Sequence, residues 1–165
     1  MTEIRPTFRI HNRLYLSSGV LFYAVTDAGE IFFMLQKIPL TRQQSWQYED
    51  FGGKSQEGDL SIEAVAFREA EEEINGALGI TKEFISSLPR VQYLLPHNKY
   101  ALYLVKLDSS FMNNDPSVYG DRENLFDIER TVKWISYKEL FEMPTGFLHP
   151  RLQPEFKHWL PLLLV

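Results

Sequence analysis

A glycine-rich segment followed by an acidic helix decides the fold of this chain. Residues 52–59 read Gly-Gly-Lys-Ser-Gln-Glu-Gly-Asp, and residues 68–73 read Arg-Glu-Ala-Glu-Glu-Glu. Ser61 is a favourable N-cap for a helix, and Asn75 with Gly76 suits the left-handed backbone that often ends one. The sequence therefore predicts a loop that leads into a helix over residues 61–76.

One face of this predicted helix changes from apolar to acidic along its length. At about 100° per residue, one stripe contains Ile62, Val65, Ala66, Glu69, Glu72 and Glu73. Three carboxylates at positions i, i+3 and i+4 repel one another, and a bound cation would turn that repulsion into attraction. Hard cations such as Mg²⁺ prefer carboxylate oxygens and are usually shared with substrate phosphates. The pattern indicates a metal site; the alternative is a solvated acidic face, although Glu71 points away from the stripe.

The same stretch resembles the Nudix box, the loop and helix signature of Nudix hydrolases. Five residues separate Gly53 from Asp59, and residues 68–73 match the Arg-Glu core and the Glu-Glu pair of that signature. Three positions depart from it: Asp59 replaces a Glu, eight residues instead of seven separate Asp59 from Arg68, and Asn75 replaces the second glycine. The extra residue fits best before the helix, which keeps the helix carboxylates in register and leaves the role of Asp59 open.

The resemblance implies a metal site on the predicted helix. Glu69, Glu72 and Glu73 would bind Mg²⁺ or Mn²⁺, with the Gly53 carbonyl oxygen as a further ligand. Arg68 lies beside the acidic stripe, so we expect it to orient a glutamate through a charge-assisted hydrogen bond.

The resemblance also implies a general base. In this family a loop acid shortly before a Trp-bearing strand often supplies a further metal ligand or the base, and Glu129 is our first candidate, ahead of Glu123 and Asp127. The base stays open among Glu72, Glu73 and Glu129.

Four residues are candidates for substrate contacts: Lys37, Phe51, Lys54 and Asn98. Lys37 follows an apolar strand and could reach a phosphate, unless it is a solvent-facing strand end. Phe51 offers an aromatic surface for a base, and core packing explains it equally well. The run of residues 51–54 is similar to that of Nudix enzymes that clear oxidised nucleoside triphosphates, but it is too short to assign a substrate. Asn98 lies in a polar turn, which could simply be solvated.

Composition narrows the class of protein. The chain has 165 residues, no cysteine and a formal net charge of −5. Disulfides, zinc–thiolate sites and cysteine nucleophiles are excluded, and a general nucleic-acid surface would normally be basic. The sequence shows neither a signal peptide nor an apolar run of membrane-spanning length. We expect a cytoplasmic protein without a membrane partner, and a homodimer contact at His11 or at the apolar residues 162–165, which could instead pack on the domain.

The order of elements predicts the fold. We expect a hairpin over residues 19–25 and 30–38, an extended segment at 46–51, a short helix at 81–88 and a second hairpin over 90–95 and 99–107. An irregular stretch at 108–126, a strand at 127–135, a helix from 136 and an interrupted helix over 149–165 follow. Residues 1–165 therefore form a single domain of the α/β class, a Nudix-type α/β/α sandwich with a mixed central sheet.

Resemblance and chemistry together imply hydrolysis of a phosphoanhydride bond in a nucleoside diphosphate linked to another group, with a small nucleotide derivative as substrate. A cation would neutralise phosphate charge and lower the pKa of an attacking water. Two alternatives stay open. One is a catalytically silent Nudix-like domain that binds a nucleotide or protein, and the other is an RNA-decapping enzyme, which would need a basic path for RNA.

Overall fold

A mixed sheet of seven strands forms the middle of the molecule in the computed structural model, which describes residues 4–153 and 156–163. The strands are β3 (Ser17–Val25), β4 (Ile31–Leu40), β5 (Ser45–Glu49), β6 (Phe51–Lys54), β7 (Arg90–Leu95), β8 (Tyr100–Lys106) and β11 (Thr131–Ser136). Their order is β11-β4-β3-β8-β7, and β5 and β6 pair with β4 and β3 respectively. Strands β3 and β8 run parallel, and the other pairs are antiparallel. Two small hairpins lie outside the sheet: β1 (Phe8–Ile10) with β2 (Arg13–Tyr15), and β9 (Arg122–Glu123) with β10 (Ile128–Glu129).

Strand β3 shows why the sheet is covered on both faces. Successive side chains of a strand point to opposite faces. Val20 and Phe22 accordingly pack in one apolar core, while Leu21 and Tyr23 pack in the other. A strand that is apolar at both alternations needs a layer of structure on each side.

Helices supply the two outer layers. Helix α1 (Ile62–Glu73) and α2 (Lys82–Ser86) cover the first core through residues such as Val65 and Ile85. Helices α3 (Tyr137–Glu142) and α4 (Phe156–Leu163) cover the second through Leu140 and Trp159. The predicted α/β/α sandwich is confirmed. No helix in the described residues is long and apolar enough to cross a membrane.

Three predicted elements were wrong in their extent. The segment at 46–51 divides into β5 and β6, because Asp50 lies where pairing changes from β4 to β3. The strand at 127–135 is interrupted at Arg130, which is 1% exposed and separates β10 from β11. Helix α4 begins at Phe156 rather than at 149, because residues 151–153 form turns.

The expected homodimer stays a prediction. His11 is exposed in the turn between β1 and β2, where its φ is 49°. In the C-terminal run Leu163 is buried and Leu162 is 41% exposed, whereas residues 164–165 lie outside the described part of the chain.

Candidate active site

Helix α1 begins and ends as its sequence indicates. The Ser61 side chain accepts a hydrogen bond from the Ala64 N–H at 3.0 Å, which satisfies one of the free amides of the first turn. At the other end Asn75 and Gly76 have φ values of 59° and 61°, the predicted left-handed conformation. Because Ala70 packs fully buried against the sheet, the acidic residues beside it lie at the margin of the core.

Strand β6 brings two glycines against these acids. A Cβ atom added at Gly53 would lie 2.6 Å from Glu69 Cδ, so a larger residue there would push the Glu69 carboxylate away from the strand. The Gly52 N–H donates to Glu73 Oε1 at 3.1 Å. The glycine strand thus forms one wall of the acidic site.

Arg68 joins the loop before α1 to the carboxylates on it. Its Nε and Nη2 donate to the two carboxylate oxygens of Asp59 at 3.0 and 2.9 Å, a bidentate pair. Its Nη1 donates to Glu69 at 3.0 Å and to Glu72 at 3.2 Å. Arg68 therefore orients two glutamates, as predicted, and Asp59 holds Arg68 in place. Burial raises the pKa of Asp59, but hydrogen bonds from Arg68 and the Gln56 N–H outweigh it and leave that pKa lowered.

Glu73 is the most deeply buried of the helix acids. Besides the Gly52 amide, the Gln36 side chain donates to it, and Gln36 Nε2 also donates to the Asp50 carbonyl at 2.8 Å. Burial, reinforced by the charges of Glu69 and Asp50, raises the pKa of Glu73 well above its ordinary value. Burial likewise raises the pKa of Glu69 although Arg68 opposes it. The site therefore holds carboxylates in surroundings that disfavour their negative charge.

A fourth acid comes from β9, in the hairpin that β9 forms with β10. Glu123 is 4% exposed, and its Oε1 is buried without a hydrogen-bond partner. Burial and the charge of Glu72 raise its pKa. With Glu69, Glu72 and Glu73 it lines a cleft of about 490 Å³, which Gly52, Gly53, Lys54, Gln56, Arg5, Arg68, Phe126 and Ile128 also line.

Comparison with known proteins assigns this arrangement to a family. The sequence model of the NUDIX domain family matches residues 16–163 of this chain. This chain belongs to the Nudix hydrolase family. Its fold is similar to that of an Ap4A hydrolase from C. elegans, with a TM-score of 0.54 and 19% identity over 90% of this chain and 96% of that one. It is also similar to RenU, a Nudix hydrolase from M. smegmatis, with a TM-score of 0.51 and 15% identity over 91% and 86% of the two chains. At these identities the likeness shows a shared fold. Comparison with curated proteins finds no sequence match.

Nudix membership implies a divalent cation, and the residues of the cleft fit one. Carboxylate oxygens are the donors that hard cations prefer, and the unpartnered Glu123 Oε1 is a buried polar atom that a ligand would satisfy. Within residues 4–153 and 156–163, no three acidic or histidine side chains already surround one point at metal-ligand spacing. The reason is that Glu69 and Glu72 are turned toward Arg68, so a cation would share them with the guanidinium.

The structure corrects two of the predicted site residues. Glu129 does not line the Nudix cleft, because Ile128 faces the cleft and Glu129, the next residue of β10, lines a separate recess. Of the three candidate loop acids, Glu123 is the one that lines the cleft. Phe51 has no exposed surface and packs against Phe22 in the core, so the prediction that it stacks on a base was wrong.

The other predicted substrate contacts fall in different places. Lys54 lines the cleft. Lys37 lines the separate recess, with its ammonium 4.3 Å from the centre of the Trp46 ring. Asn98 is exposed in a 3₁₀ turn and is not among the cleft residues. Substrate contact by Lys37, Lys54 and Asn98 stays a prediction.

Two residues that contact Glu73 were not predicted from the sequence. Gln36 is buried near the end of a predicted apolar strand. A polar residue among apolar ones in such a strand is the sequence signal that could have identified it. Arg130 donates to the Glu73 carbonyl at 2.7 Å and to the Tyr119 carbonyl at 2.9 Å, which ties the end of α1 to the loop before Glu123. Nothing in the local sequence distinguishes Arg130 from a surface arginine.

Proposed function

We propose that this Nudix protein is a Mg²⁺- or Mn²⁺-dependent pyrophosphohydrolase that cleaves a phosphoanhydride bond in a nucleoside diphosphate linked to another group. The observation that carries the proposal is the cleft in which Glu69, Glu72, Glu73 and Glu123 lie beside a strand of glycines. Glycines leave room for a phosphate chain to approach the backbone, and carboxylates supply the charge that attracts a cation.

The charges of the cleft explain why a cation is required. Four carboxylates line it, against the cationic side chains of Arg5, Lys54 and Arg68. Two of the four carboxylates are hydrogen-bonded to Arg68, whose charge is also shared with Asp59. A polyphosphate would therefore be repelled unless a cation neutralised part of the acidic charge.

The residues on α1 and in the loop before it have different roles in the proposed hydrolysis. Glu69 and Glu72 would hold the cation, which supplies charge neutralisation and lowers the pKa of a water molecule. Arg68, anchored by Asp59, keeps these two glutamates oriented. Glu73 has both carboxylate oxygens engaged, by the Gly52 amide and by Gln36, which hold it in place next to the glycine strand.

Glu123 is the proton acceptor in this proposal. A general base needs a free acceptor atom and a pKa moved toward neutrality. Glu123 Oε1 has no hydrogen-bond partner, and burial raises the pKa of its carboxyl. Phe126 and Ile128 lie on the same loop at the wall of the cleft, 66% and 46% exposed. They offer an apolar surface on which a nucleoside would pack.

The test compares two neighbouring acids of α1. Wild type, Glu72→Gln and Glu71→Gln are incubated with Mg²⁺ and nucleoside triphosphates, ADP-ribose, dinucleoside polyphosphates, NADH and capped RNA. Glu71 is the control because it faces away from the cleft, toward the Lys82 N–H at 3.4 Å. We expect metal-dependent turnover in the wild type and Glu71→Gln, and its loss in Glu72→Gln. Equal activity in the two variants would refute the proposed role of the helix acids.

The same panel separates the alternatives. Wild type that binds a nucleotide but turns over no compound would indicate a silent binding domain. The main argument for that alternative was the altered spacing at Asp59, and the bidentate pair with Arg68 accounts for it. Turnover confined to capped RNA would indicate decapping, which the net charge of −5 disfavours.

A further inference from the structure

Asn75 stands where the Nudix box has its second glycine, and its backbone keeps the geometry of a glycine. Its φ is 59°, in the left-handed region that asparagine tolerates better than most residues. It directly follows Ile74, the C-cap of α1. A glycine would serve the backbone equally well there, so the side chain of Asn75 needs a separate explanation.

The Asn75 amide makes three hydrogen bonds to the loop that carries Glu123. Its Nδ2 donates to the Tyr119 carbonyl at 2.9 Å and to the Arg122 carbonyl at 2.8 Å. Its Oδ1 accepts from the Asn124 N–H at 2.9 Å. The bonds to Arg122 and Asn124 involve the two residues that flank Glu123. One side chain therefore fixes the backbone on both sides of that acid.

Arg130 holds an earlier part of the same loop. Its guanidinium donates to the Tyr119 and Gly120 carbonyls and to the Glu73 carbonyl of α1. Arg130 thus fastens the segment that leads into β9, whereas Asn75 reaches past it to the residues on either side of Glu123. Loss of Asn75 would leave this segment attached at Tyr119 and Gly120 and paired with β10, but would remove the side-chain hydrogen bonds to Arg122 and Asn124.

We propose that Asn75 is a positioning residue that holds Glu123 at the carboxylates of α1. This inference rests on the proposed function, because it assigns Asn75 a role through Glu123. With asparagine in place of glycine, the end of α1 gains three hydrogen bonds to the segment around Glu123, and we call these three bonds the clamp. The clamp makes the position of Glu123 depend on the end of the helix that carries Glu69, Glu72 and Glu73, so the acids of the two elements are held as one group.

The first experiment measures the clamp without substrate. Amide hydrogen exchange of Asn124 is followed by NMR in wild type, Asn75→Gly and Asn75→Asp. Glycine accepts the φ of this position, so the fold is retained while the amide group is lost. Gln44→Gly is the control, since Gln44 is an exposed residue with a φ of 50° that does not line the cleft. We expect exchange at Asn124 to accelerate by about tenfold or more in Asn75→Gly, since three hydrogen bonds are lost, and to stay unchanged in the control.

The second experiment asks whether the clamp acts through Glu123. In Asn75→Gly we expect kcat to fall by about tenfold with KM within about twofold, because the loss concerns a group that acts on the reacting water. The double variant with Glu123→Gln is expected to be no slower than Glu123→Gln alone. Two results would overturn the proposal. One is an Asn124 amide that exchanges in Asn75→Gly at the wild-type rate. The other is a double variant whose loss of kcat equals the product of the losses in the two single variants. If the wild type turns over no compound of the panel, the proposed function fails, and the exchange result alone upholds or overturns the clamp.

Discussion

Removing the charge of Asp59 tests how the glycine loop is joined to the acidic helix. In Asp59→Asn the bidentate pair with Arg68 is lost, and the two side chains concerned are only 6% and 12% exposed. A hydrogen bond to a charged group contributes about 1.5–3 kcal/mol. Two bonds are removed, but Arg68 keeps Glu69 and Glu72 as partners, so no buried charge is left alone. We expect a loss of about 2 kcal/mol in the free energy of unfolding, below the 3–5 kcal/mol typical when a buried partner is stranded.

The measurement is thermal and urea denaturation of wild type, Asp59→Asn and Glu57→Gln. For a chain of this size a loss of about 2 kcal/mol lowers Tm by about 4–8 °C. Glu57 is an exposed acid of the same loop, and its substitution changes the net charge by the same amount. A Tm of Asp59→Asn within about 1 °C of that of Glu57→Gln would refute the argument, because burial of the pair would then contribute nothing.

The pH dependence of the Asp59→Asn difference gives a second check on the same pair. The folded protein lowers the pKa of Asp59 from the unfolded value of 3.8. The stabilisation is therefore complete above that pKa and is lost as pH falls through the lower folded value. The gap between wild type and Asp59→Asn should be constant near neutral pH and should narrow below about pH 4. A gap that narrows already between pH 7 and 5 would contradict the assignment.

Two further predictions concern the cleft wall and the second core. Phe126→Ala is expected to raise KM for a nucleotide substrate by about fivefold to tenfold, the loss of one stacking contact, with kcat nearly unchanged. Leu125→Ala is the control, because Leu125 is similarly exposed but does not line the cleft. Equal KM changes in the two variants would contradict the role of Phe126. Burial, together with the charge of Arg151, lowers the pKa of His149 from 6.5 to about 4. The unfolded chain then binds a proton that the folded one does not, so stability falls as pH drops from 6.5, by about 2 kcal/mol at pH 5. His149→Gln should lose correspondingly less stability between pH 7.5 and 5 in urea titrations. An unchanged pH dependence would contradict a half-buried, neutral imidazole in the folded protein.

Local signals were enough to predict the helix that carries the proposed metal ligands. The Ser61 cap, the left-handed end at Asn75 and the spacing of Glu69, Glu72 and Glu73 all act within a few residues of one another. The predicted hairpins are local in the same sense, since β3 pairs with β4 and β7 with β8 across short turns. The sequence therefore predicted the fold class and the main acidic stripe correctly.

The loop acid could not be chosen from sequence because its position depends on distant contacts. Glu123 lies opposite Ile128 in one small hairpin, and both line the cleft, whereas Glu129 lies opposite Arg122 and lines the separate recess. The orientation of this hairpin depends on contacts of Arg130 and Asn75. Asn75 is distant from Glu123 in the sequence, and Arg130 is buried although the sequence around it resembles that of a surface arginine. Phe51 was misassigned for a related reason: alternation along a strand shows that two faces exist but not which of them is covered.

Asp50, which directly precedes the glycine strand, is buried and contacts a tyrosine hydroxyl and an arginine. It is 1% exposed, accepts a hydrogen bond from the Tyr100 hydroxyl and pairs with Arg151, whose Nε lies 3.0 Å from Asp50 Oδ1. Arg151 is 101 positions later in the sequence than Asp50. During synthesis from the N-terminus, Asp50 therefore stays without this countercharge until Arg151 has left the ribosome. Contacts of such long sequence separation form late in folding. The strand that lines the carboxylate cleft should reach its final, rigid form only after the segment that carries Arg151 docks. A chain synthesised only as far as Glu123 would therefore contain every acid of the cleft and yet lack a finished active site.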